Sequence, residues 1–337
     1  MISKENFQKA LALINKSTSV LITTHTKVDG DAAGACAALS EILSSLGKEV
    51  QLLFLSALPQ WYTFLFEHKV PVLGQNITPE RLSAGGLGRF DLIIILDTNS
   101  YSQLPEFDAY LRQKNAPVLV IDHHTTADGL GDVELVDAHA AAASAVVHEL
   151  FKFARWPVTP KIAQALFVGI ATDTGWFHFN NTDAATLRCC AELIDAGANP
   201  SQIYHNIFQS FSIQRFRLMT AMQNAIELHF DGRCATQHLS QQDFKNTGAK
   251  YEDTENLIDE CQRISSVEVA ALFVELPDGR IRCSLRSRGG VDVCKIAQKF
   301  AGGGHKSAAG AYLTGPIEHA KQSILDLVRL AFGQRSI

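Results

Sequence analysis

Three histidines and five aspartates fall into four short clusters spread over almost 150 residues: His25-Thr26-Lys27-Val28-Asp29-Gly30-Asp31, Asp97-Thr98-Asn99, Asp122-His123-His124 and Ala171-Thr172-Asp173-Thr174-Gly175. Imidazole nitrogen and carboxylate oxygen are ligands for divalent cations. Gathered without a cation, so many carboxylates would repel one another strongly. Divalent cations remove the conflict. The mixed set suits manganese, iron, cobalt or zinc, with magnesium where water completes the shell. Taken singly, each cluster has a plainer reading. An aspartate at a strand end usually caps a helix, Asp29-Gly30-Asp31 is a turn followed by an N-cap, and His123-His124 is a surface pair. A calcium loop fails at Asp29-Gly30-Asp31, because Ala32-Ala33-Gly34 follows where further ligands are needed. Four coincidences in one domain make a dinuclear metal centre the stronger reading.

The elements around these clusters place them at one end of a sheet. Ser19–Thr24, Val50–Leu55, Phe90–Leu96 and Pro117–Ile121 are short β-branched runs suited to buried strands. Helical patterns separate or follow them at Asp31–Leu46 (closed by Gly47), Ala138–Phe153, Pro160–Thr172 and Asp183–Ala196. The alternation predicts an α/β domain with a parallel sheet covered on both faces. In such sheets ligands collect at the carboxyl ends of the strands, where three of the four clusters stand; Asp173 follows a helix. Asn199-Pro200 breaks the pattern, and Ser201–Leu228 reads as helical with a break near Ser210–Ser212. Strands are then expected at His229–Leu239, Val267–Glu275 and Arg280–Arg286, the last two joined by a turn at Pro277-Asp278-Gly279. The expected division is a catalytic domain over 1–198, a helical connector over 199–225 and a smaller α/β domain over 226–337.

The 337 residues fit about two domains, and 46% hydrophobic with 19% charged residues is a globular composition. No apolar run is long enough to span a bilayer, and residues 1–6 lack the apolar core of a signal peptide. Seven cysteines without a C-x-x-C pair read as buried, reduced thiols. The expectation is a cytoplasmic protein that contacts no membrane. A net charge of -5 argues against bulk binding of long nucleic acid. The charge is unevenly spread, however. Between Arg280 and Lys306 four arginines and three lysines face the single acid Asp292, a local +6. For Arg280 and Arg282, beside a turn, a solvated strand face is the preferred reading. Arg286 and Arg288 lead into Gly289-Gly290, and Gly302-Gly303-Gly304 lets backbone amides approach a ligand. A helix beginning near His305 or Lys306 would complete an anion site. No aromatic and basic stripe suggests a long single-strand track.

His-x-x-x-Asp-Gly-Asp, the isolated Asp97, Asp122-His123-His124 and Asp173 resemble the four motifs of the DHH phosphoesterase superfamily. Gly302-Gly303-Gly304-His305-Lys306-Ser307-Ala308-Ala309-Gly310 resembles the glycine-rich signature of its DHHA1 domain. The resemblance spans nearly the whole chain and is nearest to the compact NrnA-like branch, bifunctional oligoribonucleases and 3′-phosphoadenosine-5′-phosphate (pAp) phosphatases. Val28 stands where proline is common, and Ala35-Cys36 where serine is frequent.

The resemblance implies that His25 and Asp29 bind one metal, that Asp31, His123 and Asp173 bind the other, and that Asp97 bridges them. Asp122 would orient a histidine. His124 would face the substrate, stabilising phosphoryl charge or protonating the leaving oxygen. Arg286, Arg288, Gly303, Gly304 and His305 would bind substrate. The implied cofactors are two divalent cations, Mn2+ before Mg2+ or Co2+, and the implied reaction uses a metal-activated water. Expected partners are very short oligonucleotides, cut to 5′-mononucleotides, or a nucleoside bisphosphate such as pAp. A homodimer through apolar first-domain surface is expected by analogy. Cyclic or linear dinucleotide hydrolysis is the alternative activity. A manganese pyrophosphatase fits the first domain but not the glycine-rich segment, and a processive exonuclease of the RecJ kind needs further domains. A non-enzymatic sensor should have lost ligands that this chain retains.

Overall fold

The computed structural model describes residues 2–113, 116–288, 290–304 and 306–333. The chain divides into two compact units, Met1–Ser210 and Phe211–Ile337. In the first, strands β1 (Ser19–Thr24), β2 (Glu49–Leu52), β3 (Leu92–Leu96), β4 (Val118–Asp122) and β5 (Val133–Val136) form a parallel sheet of order β2-β1-β3-β4-β5. Helices α1 (Lys4–Lys16), α2 (Gly30–Ser45), α3 (Pro79–Ser83), α4 (Phe107–Gln113), α5 (Ala143–Ala154), α6 (Pro160–Asp173), α7 (Ala184–Asp195) and α8 (Pro200–Phe208) belong to the same unit.

β3 and β4 are buried at every position, which is why their sequences are continuous apolar runs rather than alternating ones. Val20, Ile22, Ile94 and Ile121 pack with α2, α5 and α6 on one face, while Leu21, Ile93, Ile95 and Val120 pack with Leu82, Phe107 and Leu111 on the other. From β1 the chain builds outward first to β2 and then, on the opposite side, to β3. The order therefore reverses between β1 and β3, the point in a doubly wound sheet where ligands bind.

The second unit holds α9 (Ile213–Asn224), α10 (Gln241–Thr247), α11 (Val293–Gln298) and α12 (Ile317–Gly333) around a mixed six-stranded sheet. Its strands are β6 (Glu227–His229), β7 (Cys234–Leu239), β8 (Val269–Glu275), β9 (Ile281–Ser287), β10 (Gly303–Gly304) and β11 (Ala308–Leu313), in the order β10-β11-β9-β8-β7-β6. β7 and β8 run parallel and the other pairs antiparallel. β9 alternates. Ile281, Cys283 and Leu285 enter a core with α11 and α12, and Arg282 and Arg286 face the 251–263 segment.

Four local expectations change. The unit boundary at 210/211 divides the helical stretch expected as a connector: α8 belongs to the first unit and α9, through Leu218 and Met222, to the core of the second. The helix expected from Ala138 begins at Ala143, because Ala142 is extended and the first free amides are taken by Asp31. The strand expected over His229–Leu239 is two strands, separated by a tight turn in which Phe230, Asp231 and Gly232 all have positive φ.

The helix expected near His305 or Lys306 is replaced by a hairpin, since Lys306 and Ser307 form a bend and β11 starts at Ala308. His305 itself lies outside the described residues. The glycines explain the difference. A side chain on Gly304 (φ 137°) would lie 2.5 Å from the Ala308 carbonyl oxygen, and one on Gly302 would strike the strand at Gly310 and Ala311. These two serve strand pairing. Only Gly303 of the three has open space where a side chain would be.

Candidate metal centre

The chain leaving β1 turns sharply, with Lys27 at φ 58°, and the Ser56 hydroxyl accepts from the Lys27 and Val28 amides at 2.7 and 3.3 Å. Beside this turn His25 pairs Nδ1 with its neighbour's carbonyl, Thr26 O, at 2.7 Å. That leaves Nε2 facing Asp97 Oδ2 at 3.3 Å and Asp29 Oδ1 at 3.8 Å. Asp29 also N-caps α2, accepting from the Ala32 amide at 3.0 Å. The plain capping reading is therefore correct for Asp29, and it fixes the carboxylate beside His25.

Asp97 follows β3 in the left-handed region at φ 59°, uncommon for a residue other than glycine. Its amide donates to Ile121 O at 2.9 Å, holding it against the end of β4. The residue is 2% exposed, yet Oδ1 has no hydrogen-bond partner. This oxygen lies 3.4 Å from His123 Nε2 and 3.7 Å from His124 Nδ1. Asp122 Oδ1 accepts from the His123 amide and sits 2.8 Å from His124 Nδ1, while its buried Oδ2 has no partner. His123 has Nδ1 on Ala140 O at 3.3 Å, so with the proton on Nδ1 its Nε2 lone pair points inward. That nitrogen is 3.6 Å from Asp173 Oδ2 and 3.9 Å from Asp31 Oδ2.

Asp31 comes from the first turn of α2 and Asp173 from the last residue of α6, and small residues bring the two helices together. A side chain on Gly34 would strike the backbone of Ala165 and Gly169, one on Gly30 would meet Thr172, and one on Gly169 would meet Ser144 and Asp31. Asp31 is in turn gripped by the start of α5: Ala143 N donates to Oδ2 at 2.5 Å and Ser144 N to Oδ1 at 2.8 Å. Ala142 offers α5 no side-chain cap, so Asp31 supplies one from a distant helix, stabilised by the positive helix end.

Two ligand triads result, His25–Asp29–Asp97 and Asp31–His123–Asp173, each with donor atoms within 4.8 Å of one another. Asp97 belongs to the first and also groups with His123 and His124. All eight sequence-predicted residues of the first unit thus converge. Electrostatics shows the cost of leaving them without cations. Burial raises the Asp31 carboxyl well above its usual range, helped by Asp97 and Asp173. Burial likewise pushes Asp173 up to about 6. Burial opposes the charge on Asp97, but His123 and His25 hold its carboxyl well below the ordinary value. Burial also opposes charge on the histidines, yet neighbouring carboxylates raise His123 to about 10 and His25 well above normal. Protons are doing what cations would do. An orphaned buried oxygen between two oxygen-and-nitrogen triads fits a pair of divalent ions.

The predicted substrate residues lie in the second unit. Arg286 places Nε on Asp259 Oδ1 at 2.9 Å, and Arg288 donates from Nη1 to Ser265 O at 3.1 Å. Gly303 and Gly304 form β10. Sequence reasoning missed Ser56, the Ala140 carbonyl, the Ala143 and Ser144 amides and Asn181, whose Nδ2 donates to Ala141 O and Asp173 O, both at 3.1 Å. These act through backbone groups, a lone hydroxyl or a single side-chain amide, which carry no motif. Gly30-x-x-x-Gly34 was the one visible signal, a small-residue spacing on a helix face.

Comparison with known proteins agrees with this arrangement. Residues 19–170 match the model of the DHH family, N-terminal domain, and residues 234–334 that of the DHHA1 domain. The bifunctional oligoribonuclease and PAP phosphatase NrnA of Thermus thermophilus is 32% identical, over 92% of this chain and 89% of its own. Its Bacillus subtilis namesake is 26% identical over 87% and 88%. A crystal structure of an exopolyphosphatase-related protein from Bacteroides fragilis superposes with a TM-score of 0.91 at 22% identity, covering 98% of both chains, and shares the fold. The chain belongs to the DHH phosphoesterase family, with a C-terminal DHHA1 domain, and stands in its NrnA-like branch.

Proposed function

We propose that this protein is a two-metal phosphohydrolase that releases 5′-mononucleotides from very short oligonucleotides and removes the 3′-phosphate of pAp. The observation that carries the metal reading is Asp97: a buried carboxylate with one oxygen toward His25 and the other, unpartnered, toward His123. The nucleotide reading is supported by relatives named as oligoribonucleases and PAP phosphatases over most of the chain.

His25 and Asp29 would hold one cation, Asp31, His123 and Asp173 the other, with Asp97 shared between them. Bound there, two divalent ions, Mn2+ first among them, supply Lewis acidity toward the phosphoryl oxygens and lower the pKa of a nucleophilic water. The remaining work falls to the chain. The α5 amides orient the Asp31 carboxylate, and Ala140 O selects the His123 tautomer. His124 is the most open of the three imidazoles, with two-fifths of its side chain exposed. Asp122 holds its Nδ1 and raises its proton affinity, which suits it to carry a proton for the leaving oxygen. Arg286, Arg288, Gly303, Gly304 and His305 are the residues we assign to the rest of the substrate. Arg286 would exchange Asp259 for a phosphate.

The test is one manganese-loaded preparation offered a ladder of short oligoribonucleotides, pAp, cyclic dinucleotides and pyrophosphate. Turnover of the shortest oligonucleotides and pAp is expected. Cleavage confined to cyclic dinucleotides would move the assignment to that substrate, and no product from any of them would refute the activity.

A further inference from the structure

The segment after Asp173 is unusual. Gly175, Trp176 and Phe177 take consecutive left-handed conformations, at φ 56°, 58° and 68°. Left-handed backbone is costly for L-residues, so two aromatic residues there need compensation. Part of it is visible. Trp176 enters an aromatic cluster with Phe167, Tyr204 and Phe208, at centroid separations of 6.2, 5.1 and 5.5 Å. Thr174 O accepts from the His178 and Phe179 amides at 3.1 and 3.0 Å.

The consequence of the turn is where it leaves the next two residues. His178 and Phe179 stand side by side with ring centroids 4.4 Å apart, and His178 Nδ1 contacts Gly175 O. The Phe179 ring lies against Gly175, where any side chain would come within 2.6 Å of it. Even so, Phe179 is 51% exposed. The loop is tied to the metal centre from both sides. Asn181 bonds the carbonyls of Asp173, a candidate ligand, and of Ala141, next to the residue whose carbonyl orients His123. An exposed aromatic platform thus stands on the turn that follows Asp173, a member of the Asp31–His123–Asp173 triad.

We infer that His178 and Phe179 form a nucleobase-stacking subsite for a nucleotide whose phosphate lies at the metal centre. Every base has a π face, so stacking on Phe179 would accept any base while rejecting a phosphate ester that lacks one. A single platform also suits a short substrate better than a long strand. The subsite rests on the proposed nucleotide hydrolysis, and its test separates the two.

The test uses the full-length, manganese-loaded protein with a 5′-phosphorylated dinucleotide and its two abasic analogues, one lacking each base in turn. The native protein should prefer the base-bearing substrate in kcat/KM. Phe179→Ala should shrink that preference against one of the analogues by roughly 5- to 150-fold, the range of base–aromatic stacking, mainly through KM. Phe179→Tyr should restore it, and metal content should be that of the native protein. An unchanged preference in Phe179→Ala, with the native enzyme active on the dinucleotide, would overturn the subsite alone. No turnover of the dinucleotide by the native protein would overturn the subsite together with the nucleotide reading.

Discussion

Gly169 is the position where a single methyl group should reach the metal centre without touching a ligand's chemistry. It lies on α6, and a side chain there would meet the Ser144 side chain and come within 2.7 Å of Asp31 Oδ1. Neither neighbour is free to move. Ser144 is fully buried, and Asp31 is clamped by two amides of α5. Gly169→Ala must therefore shift α6 or rotate the Asp31 carboxylate. Overpacking of this kind costs about 1–3 kcal/mol, which for a unit of this size lowers Tm by roughly 2–12 °C. Disturbing a group that orients a metal ligand also weakens metal binding by about 10- to 100-fold. Calorimetric titration with Mn2+ and thermal unfolding of the metal-free protein would read the two effects separately. The double variant Gly169→Ala/Ser144→Ala divides them further. It removes the hydroxyl overlap and should recover part of the Tm, but the contact with Asp31 persists and metal binding should stay weak. A Gly169→Ala protein with native Tm and native Mn2+ affinity would refute the claim that helix packing sets the position of Asp31.

Three further outcomes follow from the same geometry. Asp97→Ala removes the carboxylate that reaches both triads, so turnover should fall below detection and bound metal below two ions per chain by elemental analysis; retained turnover would remove Asp97 from the bridging role. Burial pushes the Asp173 carboxyl up to about 6 and neighbouring carboxylates raise His123 to about 10, so ion binding must expel protons: Mn2+ affinity should rise with pH, most steeply from about 5 to 6, where Asp173 as well as His123 has a proton to lose, with proton release measurable from buffer-dependent heats. Affinity independent of pH across that window would contradict this. Arg286→Ala should raise KM for nucleotides while leaving kcat largely intact, and an unchanged KM would exclude Arg286 from substrate binding.

The first unit was legible because its strands are buried on both faces and its chemistry sits at their ends. Leu92–Leu96 is apolar throughout and is followed at once by Asp97, so pattern and motif mark the same point. The short edge strand β5 was not legible. It is four residues with one acid inside it and another on either side, and its partner is β4 rather than a hairpin neighbour. The glycine-rich segment misled for a physical reason. Gly302 and Gly304 permit close approach, as expected, and what approaches them in the fold is β11, which continues the sheet where a helix was expected. Asp31 shows the opposite case. Its capping role was visible, but the helix it caps is α5, which only the fold brings near.

The central claim is that two cations sharing Asp97 hydrolyse nucleotide phosphoesters. Turnover of a 5′-phosphorylated dinucleotide, followed as Mn2+ is added to metal-free protein, tests it most directly. Activity should remain low through the first equivalent and rise with the second, reaching its limit at two ions per chain. Full activity at one ion per chain, or none at two, would contradict it.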